Sequence, residues 1–158
     1  MINYIDLFAG AGGLSEGFTT TGFHPVSHVE MNKEACNTLK TRACYYYLKN
    51  TGKLSLYKDY LKGKITREEL YSLVPAHITN TVINHTMTEE SMPDLFRRIN
   101  QLLQEQKIRK VDLVVGGPPC QAYSLVGRAV KSDCMVNDPR NYLYKLYLSL
   151  IHISEPTR

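Results

Sequence analysis

The sequence predicts an α/β fold built around a parallel β-sheet, and three stretches support that prediction. Near the start, a strand at 3–8 runs into a glycine-rich turn at 9–13 and then into a helix. A second strand, 25–30, ends in an acidic residue. Further on, an apolar, β-branched run at 111–115 leads into a corner of glycines and prolines that ends in a cysteine. Such folds place their binding and reactive groups at the carboxyl ends of parallel strands, where each of these stretches ends.

Composition sets the broad class of the protein. The chain has 158 residues, 43% of them hydrophobic and 22% charged, with a net charge of +4. This is ordinary for a single globular domain, and the charge permits a polyanionic partner without requiring one. The four cysteines form no C-x-x-C pair, and neither a signal peptide nor a membrane-length apolar run is visible. We therefore expect a soluble cytoplasmic protein from a reducing compartment, with no membrane partner.

The glycine turn and the acid after the second strand form a nucleotide-type pattern. The turn matches G-x-G-x-x-G at Gly10 and Gly12, but Ser15 stands in place of the third glycine. Glu30 follows at about 20 residues, where an acidic side chain can accept both hydroxyls of a ribose. The competing interpretation of Glu30 is a solvated residue that opens the next helix. The spacing favours the ribose role, while His28 is expected to be a packed strand residue.

Further elements follow from caps and periodicity. Asn32 is a candidate N-cap for a helix at 33–48. Residues 50–64 predict a surface connection rich in Lys and Tyr, interpreted as a solvated face with nucleic-acid contact as the alternative. A capping box predicts a short helix at 66–73, and 77–83 predicts a weak strand. A helix ending near residue 107 carries an apolar stripe of Leu95, Ile99, Leu102 and Leu103.

The corner after the strand at 111–115 carries the candidate nucleophile. Gly116 and Gly117 permit a sharp turn, and Pro118 and Pro119 stiffen the backbone that follows. Cys120 comes next. A lone cysteine after a turn would be interpreted as a buried structural residue. The matching pattern near the start of the chain favours a reactive thiol instead.

The C-terminal part contains one helix start and one unusual tail. Asp138-Pro139-Arg140 predicts a helix whose apolar face includes Leu143. Residues 148–158 resemble the in-frame translation of a sequencing-library adapter, with a natural frayed helix end as the alternative. We therefore divide the chain into a domain at 1–147 and a scar at 148–158.

Two motifs together resemble the DNA (cytosine-5)-methyltransferase family. Asp6-Leu7-Phe8-Ala9-Gly10-Ala11-Gly12-Gly13-Leu14 is similar to its S-adenosylmethionine-binding motif. Gly116-Gly117-Pro118-Pro119-Cys120-Gln121-Ala122-Tyr123-Ser124 is similar to its catalytic Pro-Cys motif. Residues 138–143 resemble the next family segment. The resemblance covers residues 1–147, and it implies a Rossmann-like S-adenosylmethionine-dependent methyltransferase fold that is incomplete at the C-terminus.

The resemblance also implies an activity and a set of site residues. The activity is transfer of a methyl group from S-adenosylmethionine to C5 of a cytosine flipped out of double-stranded DNA, with Cys120 as the nucleophile. A prokaryotic or phage restriction-modification system, a cognate endonuclease and a monomeric full-length enzyme are implied as well. The implied cofactor-binding residues are Phe8, Ala9, Gly10, Gly12, Gly13, Leu14, Glu30, Met31, Pro118 and Leu143.

The sequence departs from the family pattern at two places. Where the family often has an acid after the third strand, facing the adenine amino group, this chain has Asn84-His85-Thr86. The Glu-Asn-Val motif, the later arginine motifs and the target-recognition domain do not occur in it. The expectation is the front part of an enzyme, and a non-catalytic nucleotide or S-adenosylmethionine binding module is the alternative. A nicotinamide oxidoreductase fits less well, because a Pro-Pro-Cys corner has no role in hydride transfer.

Overall fold

A computed structural model describes residues 1–117, and the fold in this part of the chain is α/β. Its strands are β1 (Asn3–Leu7), β2 (His24–Glu30), β3 (Val82–Asn84) and β4 (Leu113–Gly116). Its helices are α1 (Gly13–Thr20), α2 (Lys33–Asn50), α3 (Leu54–Leu61), α4 (Arg67–Ser72), α5 (Ala76–Asn80) and α6 (Met92–Glu105). The four strands form one parallel sheet in the order β3-β2-β1-β4. The predicted fold class is confirmed.

Helices cover both faces of this sheet. In β3, Val82 packs with residues of α2, whereas the next residue, Ile83, packs with the apolar stripe of α6. Successive strand residues point to opposite faces, so α2 and α6 lie on opposite sides. In β1, Tyr4 bonds to α1, and Ile5 joins the α6 side. Both faces of β1 and β2 are therefore buried, as expected for central strands of a parallel sheet.

Most of the predicted elements are confirmed, with shifted ends. The Asn32 side chain accepts a hydrogen bond from the Ala35 amide at 2.9 Å and so caps α2. The capping box of α4 is present, with Thr66 and Glu69 bonded to each other's backbone. The helix with the apolar stripe is α6. The strand predicted at 111–115 begins at Leu113, although Val111 just before it is fully buried.

One prediction between α2 and β3 is wrong. The surface connection at 50–64 contains helix α3, whose Leu56, Tyr57 and Tyr60 pack against a small cluster beneath α2 and α4. The four lysines of this stretch obscure the apolar stripe in the sequence. The weak strand predicted within 77–83 is confirmed as β3, but it begins only at Val82, because the residues before it through Asn80 form α5.

The structure describes two of the four cysteines, and both lie on α2. Cys36 and Cys44 are both free and buried. Burial raises the pKa of the Cys44 thiol to about 11, so this thiol stays protonated.

Between residues 1 and 117, no helix has the length and apolar character needed to cross a membrane.

Candidate functional site

The site candidates lie along the edge of the sheet where all four strands end. In the strand register, Leu7 pairs with Val29 on one side and with Gly116 on the other, and Glu30 pairs with Asn84. The glycine turn, the acid after β2, the amide after β3 and the glycine corner after β4 therefore begin side by side. This is the edge at which open parallel sheets bind their ligands.

The glycine turn is a backbone structure that needs unusual dihedral angles. Phe8, Gly10 and Gly12 have φ values of 55°, 54° and 85°, which lie in the left-handed region that glycine adopts without strain. At Gly12, a Cβ would also lie 2.7 Å from the Leu39 side chain. At Gly10 and Gly13, no atom of residues 1–117 lies within 4 Å of where a Cβ would be. A ligand can therefore approach the backbone of this turn closely.

Helix α2 braces the start of α1. The Glu16 carboxylate, in the first turn of α1, accepts from Arg42 at 2.5 Å and from the Tyr46 hydroxyl at 2.6 Å. The hydrogen bond from Tyr46, together with Arg42, lowers the pKa of Glu16. Arg42 also reaches the Gly12 carbonyl at 3.5 Å. These contacts fix the direction of α1 relative to the turn.

Ser15 stands where the nucleotide-type pattern has its third glycine. It is 2% exposed and faces β1 and β2. Its hydroxyl hydrogen-bonds to the Tyr4 hydroxyl and, at 2.7 Å, to Nε2 of His28. His28 is thus a packed strand residue, as predicted, and burial lowers its pKa to about 4.

The Glu30 carboxylate joins the turn to the end of β2. Its Oε2 accepts a hydrogen bond from the Gly10 amide at 2.8 Å, and its Oε1 accepts one from the Asn32 amide at 2.7 Å. Each carboxylate oxygen has two acceptor sites, so each can still accept a bond from a ligand. Glu30 is partly buried, and its bond to the Asn32 amide also places it at the start of α2, where the alternative interpretation put it.

Two apolar side chains, that of Met31 directly after Glu30 and that of Leu14 in the first turn of α1, are exposed. Met31 is 66% exposed and Leu14 is 51% exposed. Leu14 does not share the packing of Phe18, which lies 5.3 Å from the Tyr4 ring between centroids. These two side chains offer apolar surface at an edge that is otherwise polar backbone, and a flat heterocycle is the kind of group that such surface binds.

Asn84 is a site residue whose role the sequence did not predict. Its Nδ2 donates to the carbonyl of Glu30 at 3.0 Å and to the carbonyl of Met31 at 2.8 Å. It also approaches the sulfur of Cys36 at 3.5 Å. An ionised acid at this position could not donate a hydrogen bond, and its oxygens would face these two carbonyl oxygens. The amide of Asn84, which can donate to both, therefore fits this place in the structure.

Asp6 is a second residue whose environment only the fold shows. It is 1% exposed at the end of β1, and its Oδ2 has no hydrogen-bond partner among residues 1–117. Burial, with repulsion from Glu30 as the next cause, raises the pKa of Asp6 to about 7. Asp6 beneath the turn is therefore only partly ionised at neutral pH.

The corner after β4 is described only at its start. A Cβ on Gly116 would lie 2.2 Å from the Leu7 carbonyl oxygen, so glycine is required for β4 to approach β1 here. At Gly117, apart from its chain neighbours, no atom of residues 1–117 lies within 4 Å of where a Cβ would be. Three predicted site residues, Pro118, Cys120 and Leu143, lie outside the described residues, as does the predicted scar at 148–158.

Taken together, the sheet, the glycine turn and the acid after β2 define an α/β protein of the nucleotide-binding type. The model of the family described as C-5 cytosine-specific DNA methylase matches residues 2–66 and 89–158. The chain belongs to this family. The unmatched stretch, 67–88, holds α4, α5 and β3, and it includes Asn84.

Curated relatives agree with the family assignment. Type II methyltransferase M.Bpa9945I of Bacillus paralicheniformis is 37% identical over 96% of this chain and 38% of its own length. Type II methyltransferase M1.HphI of Haemophilus parahaemolyticus is 31% identical over 98% of this chain and 30% of its own length. M.AquIA of Picosynechococcus is 30% identical over 96% of this chain and 44% of its own length. The chain thus spans less than half the length of these relatives. No solved structure matches it.

Proposed function

We propose that this chain is the N-terminal part of a DNA methyltransferase that uses S-adenosylmethionine to methylate cytosine at C5. The observation that carries the proposal is the bond between the Glu30 carboxylate and the Gly10 amide at 2.8 Å. It joins a ribose-type acid to an open glycine turn at the ligand-binding edge of the sheet. The sequence continues from that same edge, after β4, into Pro118-Pro119-Cys120.

The groups present fit the cofactor. Glu30 has free acceptor sites for the two ribose hydroxyls, and Met31 offers exposed apolar surface for the adenine ring. The open backbone at Gly10 and Gly13 leaves room for the rest of the molecule. We propose that the cofactor is held by Phe8, Ala9, Gly10, Gly12, Gly13, Leu14, Glu30, Met31, Pro118 and Leu143. When bound, S-adenosylmethionine supplies a methyl group activated by its sulfonium charge.

The proposed role of Cys120 is covalent catalysis. Cytosine C5 is a poor nucleophile. Addition of the Cys120 thiolate to C6 breaks the C5–C6 double bond and makes C5 electron-rich. C5 would then bond to the methyl carbon as the bond from that carbon to the sulfonium sulfur breaks, which leaves S-adenosylhomocysteine. Loss of the C5 proton to a base then expels the thiolate and restores the ring. The thiolate is the reactive form of cysteine, and the target base must leave the DNA helix to reach it.

The context proposed for this activity follows from the relatives. Their printed names assign them to type II systems, so we propose a cytoplasmic enzyme of a restriction-modification system, paired with a cognate endonuclease and monomeric at full length. We also propose that residues 1–147 are native and that 148–158 derive from an adapter. The nucleotide sequence after codon 147 in the source genome tests this division, and a native reading of residues 148–158 there would contradict it.

A mechanism-based trap tests the proposed activity. Duplex DNA with 5-fluorocytosine at the target position should form a stable adduct in the full-length enzyme, because fluorine is not lost from C5 as a proton is. Mass spectrometry should place the adduct on Cys120. The variant Cys120→Ser should form no adduct and still bind the cofactor, since a hydroxyl is a far weaker nucleophile at neutral pH.

Cys134→Ser is the matched control, because Cys134 lies in the same part of the chain and outside the Pro-Pro-Cys corner. It should form the adduct at the wild-type rate. An adduct on Cys134, or methylation that survives in Cys120→Ser, would refute the assignment. Cofactor binding without any adduct in the wild type would favour the binding-module alternative.

A further inference from the structure

The excess positive charge of the chain is concentrated in one segment, residues 40–67. This segment holds eight lysine and arginine residues and one acid, Asp59, whereas the remainder holds eleven basic and fourteen acidic residues. Outside this segment the chain is therefore net negative. Five of the eleven tyrosines also lie within it. Such a local concentration of charge and aromatic groups is typical of a surface that binds a polyanion.

The segment folds into a surface with a groove. It runs from α2 through α3 to the first residue of α4, and the groove has a volume of about 540 Å³. Its polar lining includes Arg42, Tyr45, Tyr57, Tyr60 and Arg67, together with Glu16. Both arginines pair with carboxylates, Arg42 with Glu16 and Arg67 with Glu34 and Glu68. Tyr45 and Tyr57 lie ring to ring, 5.2 Å apart between centroids, and phenol hydroxyls donate to phosphate oxygens.

Three lysines beside the groove have no acidic partner. Lys53, Lys58 and Lys62 lie before, within and after α3, are exposed, and form no ion pair with any residue between 1 and 117. Lys58 and Lys62 are four residues apart, so they lie on the same side of the helix and repel each other. Both lie at the C-terminal end of α3, where the helix dipole favours positive charge, but neither has an acidic partner among residues 1–117. An external anion would offset the repulsion.

We propose that α3 and its flanking lysines, the α3 lysine surface (Lys53, Lys58 and Lys62), bind the phosphate backbone of double-stranded DNA. The contact is independent of base sequence and separate from the edge where the target base would react. It rests on the proposed function only in that DNA is the polyanion which such an enzyme meets. Contacts of this kind position a protein on DNA without reading sequence.

Salt-dependent DNA binding by the 158-residue chain tests this proposal. The variant Lys53→Gln/Lys58→Gln/Lys62→Gln removes three charges that take part in no internal ion pair. The control Lys33→Gln/Lys107→Gln/Arg109→Gln removes three equally exposed charges outside the segment. Affinity for a 30-base-pair duplex of arbitrary sequence is measured by fluorescence anisotropy at several salt concentrations. Each lost phosphate contact lowers the slope of log affinity against log salt by about 0.9.

We expect the α3 variant to bind the duplex at least tenfold more weakly than the wild type. The magnitude of its slope of log affinity against log salt concentration should be smaller by about 2 to 3. In the control variant, this slope should decrease by less than about 1. If the triple variant does not fold, Lys58→Gln alone should lower the slope by about 0.9. Equal slopes in all proteins, an equal loss in the control, or no duplex binding by the wild type would overturn the proposal.

Competition identifies the partner class. Poly-glutamate at equal charge should displace the duplex much more weakly than unlabelled DNA does, and equal displacement would indicate an acidic protein surface as the partner and overturn the DNA assignment. The 5-fluorocytosine trap is independent of these measurements. An unchanged slope with an intact Cys120 adduct refutes only the α3 lysine surface, and lysine-dependent binding without an adduct refutes only the proposed function.

Discussion

The charge of Glu30 is the part of the proposed cofactor site that can be tested most directly. Glu30→Gln keeps the length and shape of the side chain but removes its charge and turns one acceptor into a donor. In the structure, both carboxylate oxygens accept backbone amides, one from Gly10 and one from Asn32. Glutamine has a single carbonyl oxygen, so one of these two amides loses its acceptor. The substitution therefore weakens both the ligand contact and the brace of the turn.

The expected magnitude follows from the bonds involved. A hydrogen bond to a charged group contributes about 1.5–3 kcal/mol, and each 1.4 kcal/mol corresponds to about a tenfold change in affinity. Loss of the equivalent of one such bond to a ribose hydroxyl should raise the Kd for S-adenosylhomocysteine by about 10- to 150-fold. Glu30→Ala should fall in the same range or above it, because it removes both acceptors.

Isothermal titration calorimetry with S-adenosylhomocysteine measures this effect in the full-length enzyme. Glu34→Gln is the matched control, since Glu34 is exposed in the first turn of α2 and carries the same charge. It should bind within about twofold of the wild type. Unchanged affinity in Glu30→Gln, or an equal loss in Glu34→Gln, would refute the ribose assignment.

Three further variants test the edge of the sheet. Asn84→Asp, which restores the acid common in the family, should weaken cofactor binding in calorimetry, because its carboxylate would face the two carbonyls that Asn84 now bonds; tighter binding would contradict this. Gly116→Ala should lower the free energy of unfolding by about 1–3 kcal/mol in denaturant titrations, since its Cβ would lie 2.2 Å from a backbone oxygen, whereas Gly117→Ala should not. Asp6→Asn should gain stability relative to the wild type as pH rises from 5 to 8, and an unchanged difference would refute the buried-acid interpretation.

The sign of the Asp6 effect follows from proton linkage. The pKa of Asp6 is about 7 in the folded chain, against 3.8 for an ordinary aspartate. The folded state therefore binds the proton more tightly, and this stabilisation is complete below about pH 4 and is lost as pH rises through about 7. The difference between these two pKa values corresponds to at most about 4 kcal/mol of stability. Asparagine does not titrate in this pH range, so the Asp6→Asn variant does not lose this stability as pH rises.

The parts of the site that the sequence predicted are those encoded by short-range pattern. The turn between β1 and α1 needs glycines because of its own dihedral angles, and these are visible at fixed positions. The distance from Gly10 to Glu30 is set by one βαβ unit, whose length varies little. The N-cap at Asn32 and the capping box at Thr66 are likewise local. Each of these predictions depends on residues within about one element of each other.

The parts that the sequence did not predict depend on contacts between distant residues. Asn84 lies 54 residues from Glu30, and only strand pairing brings its amide onto the Glu30 carbonyl. The altered pKa of Asp6 arises from its burial in the folded chain and from Glu30, which lies on another strand. Helix α3 was missed for a related reason. Its Leu56 and Tyr57 are half-buried against the cluster of α2 and α4, and the four lysines in the stretch 50–64 give that stretch a polar composition.

Ser15 shows how an imperfect motif can still be consistent with its fold. A glycine at this position serves close packing of the helix on the strands, and serine adds only a small side chain. The face beneath it is polar, because Tyr4 and His28 both point there from β1 and β2. With its pKa lowered to about 4 by burial, His28 is neutral at physiological pH and needs a hydrogen-bond partner. The Ser15 hydroxyl supplies one for the imidazole and another for the phenol. A glycine would leave Nε2 of His28 without this partner, so serine at the third position and the polar residues on the strands depend on each other.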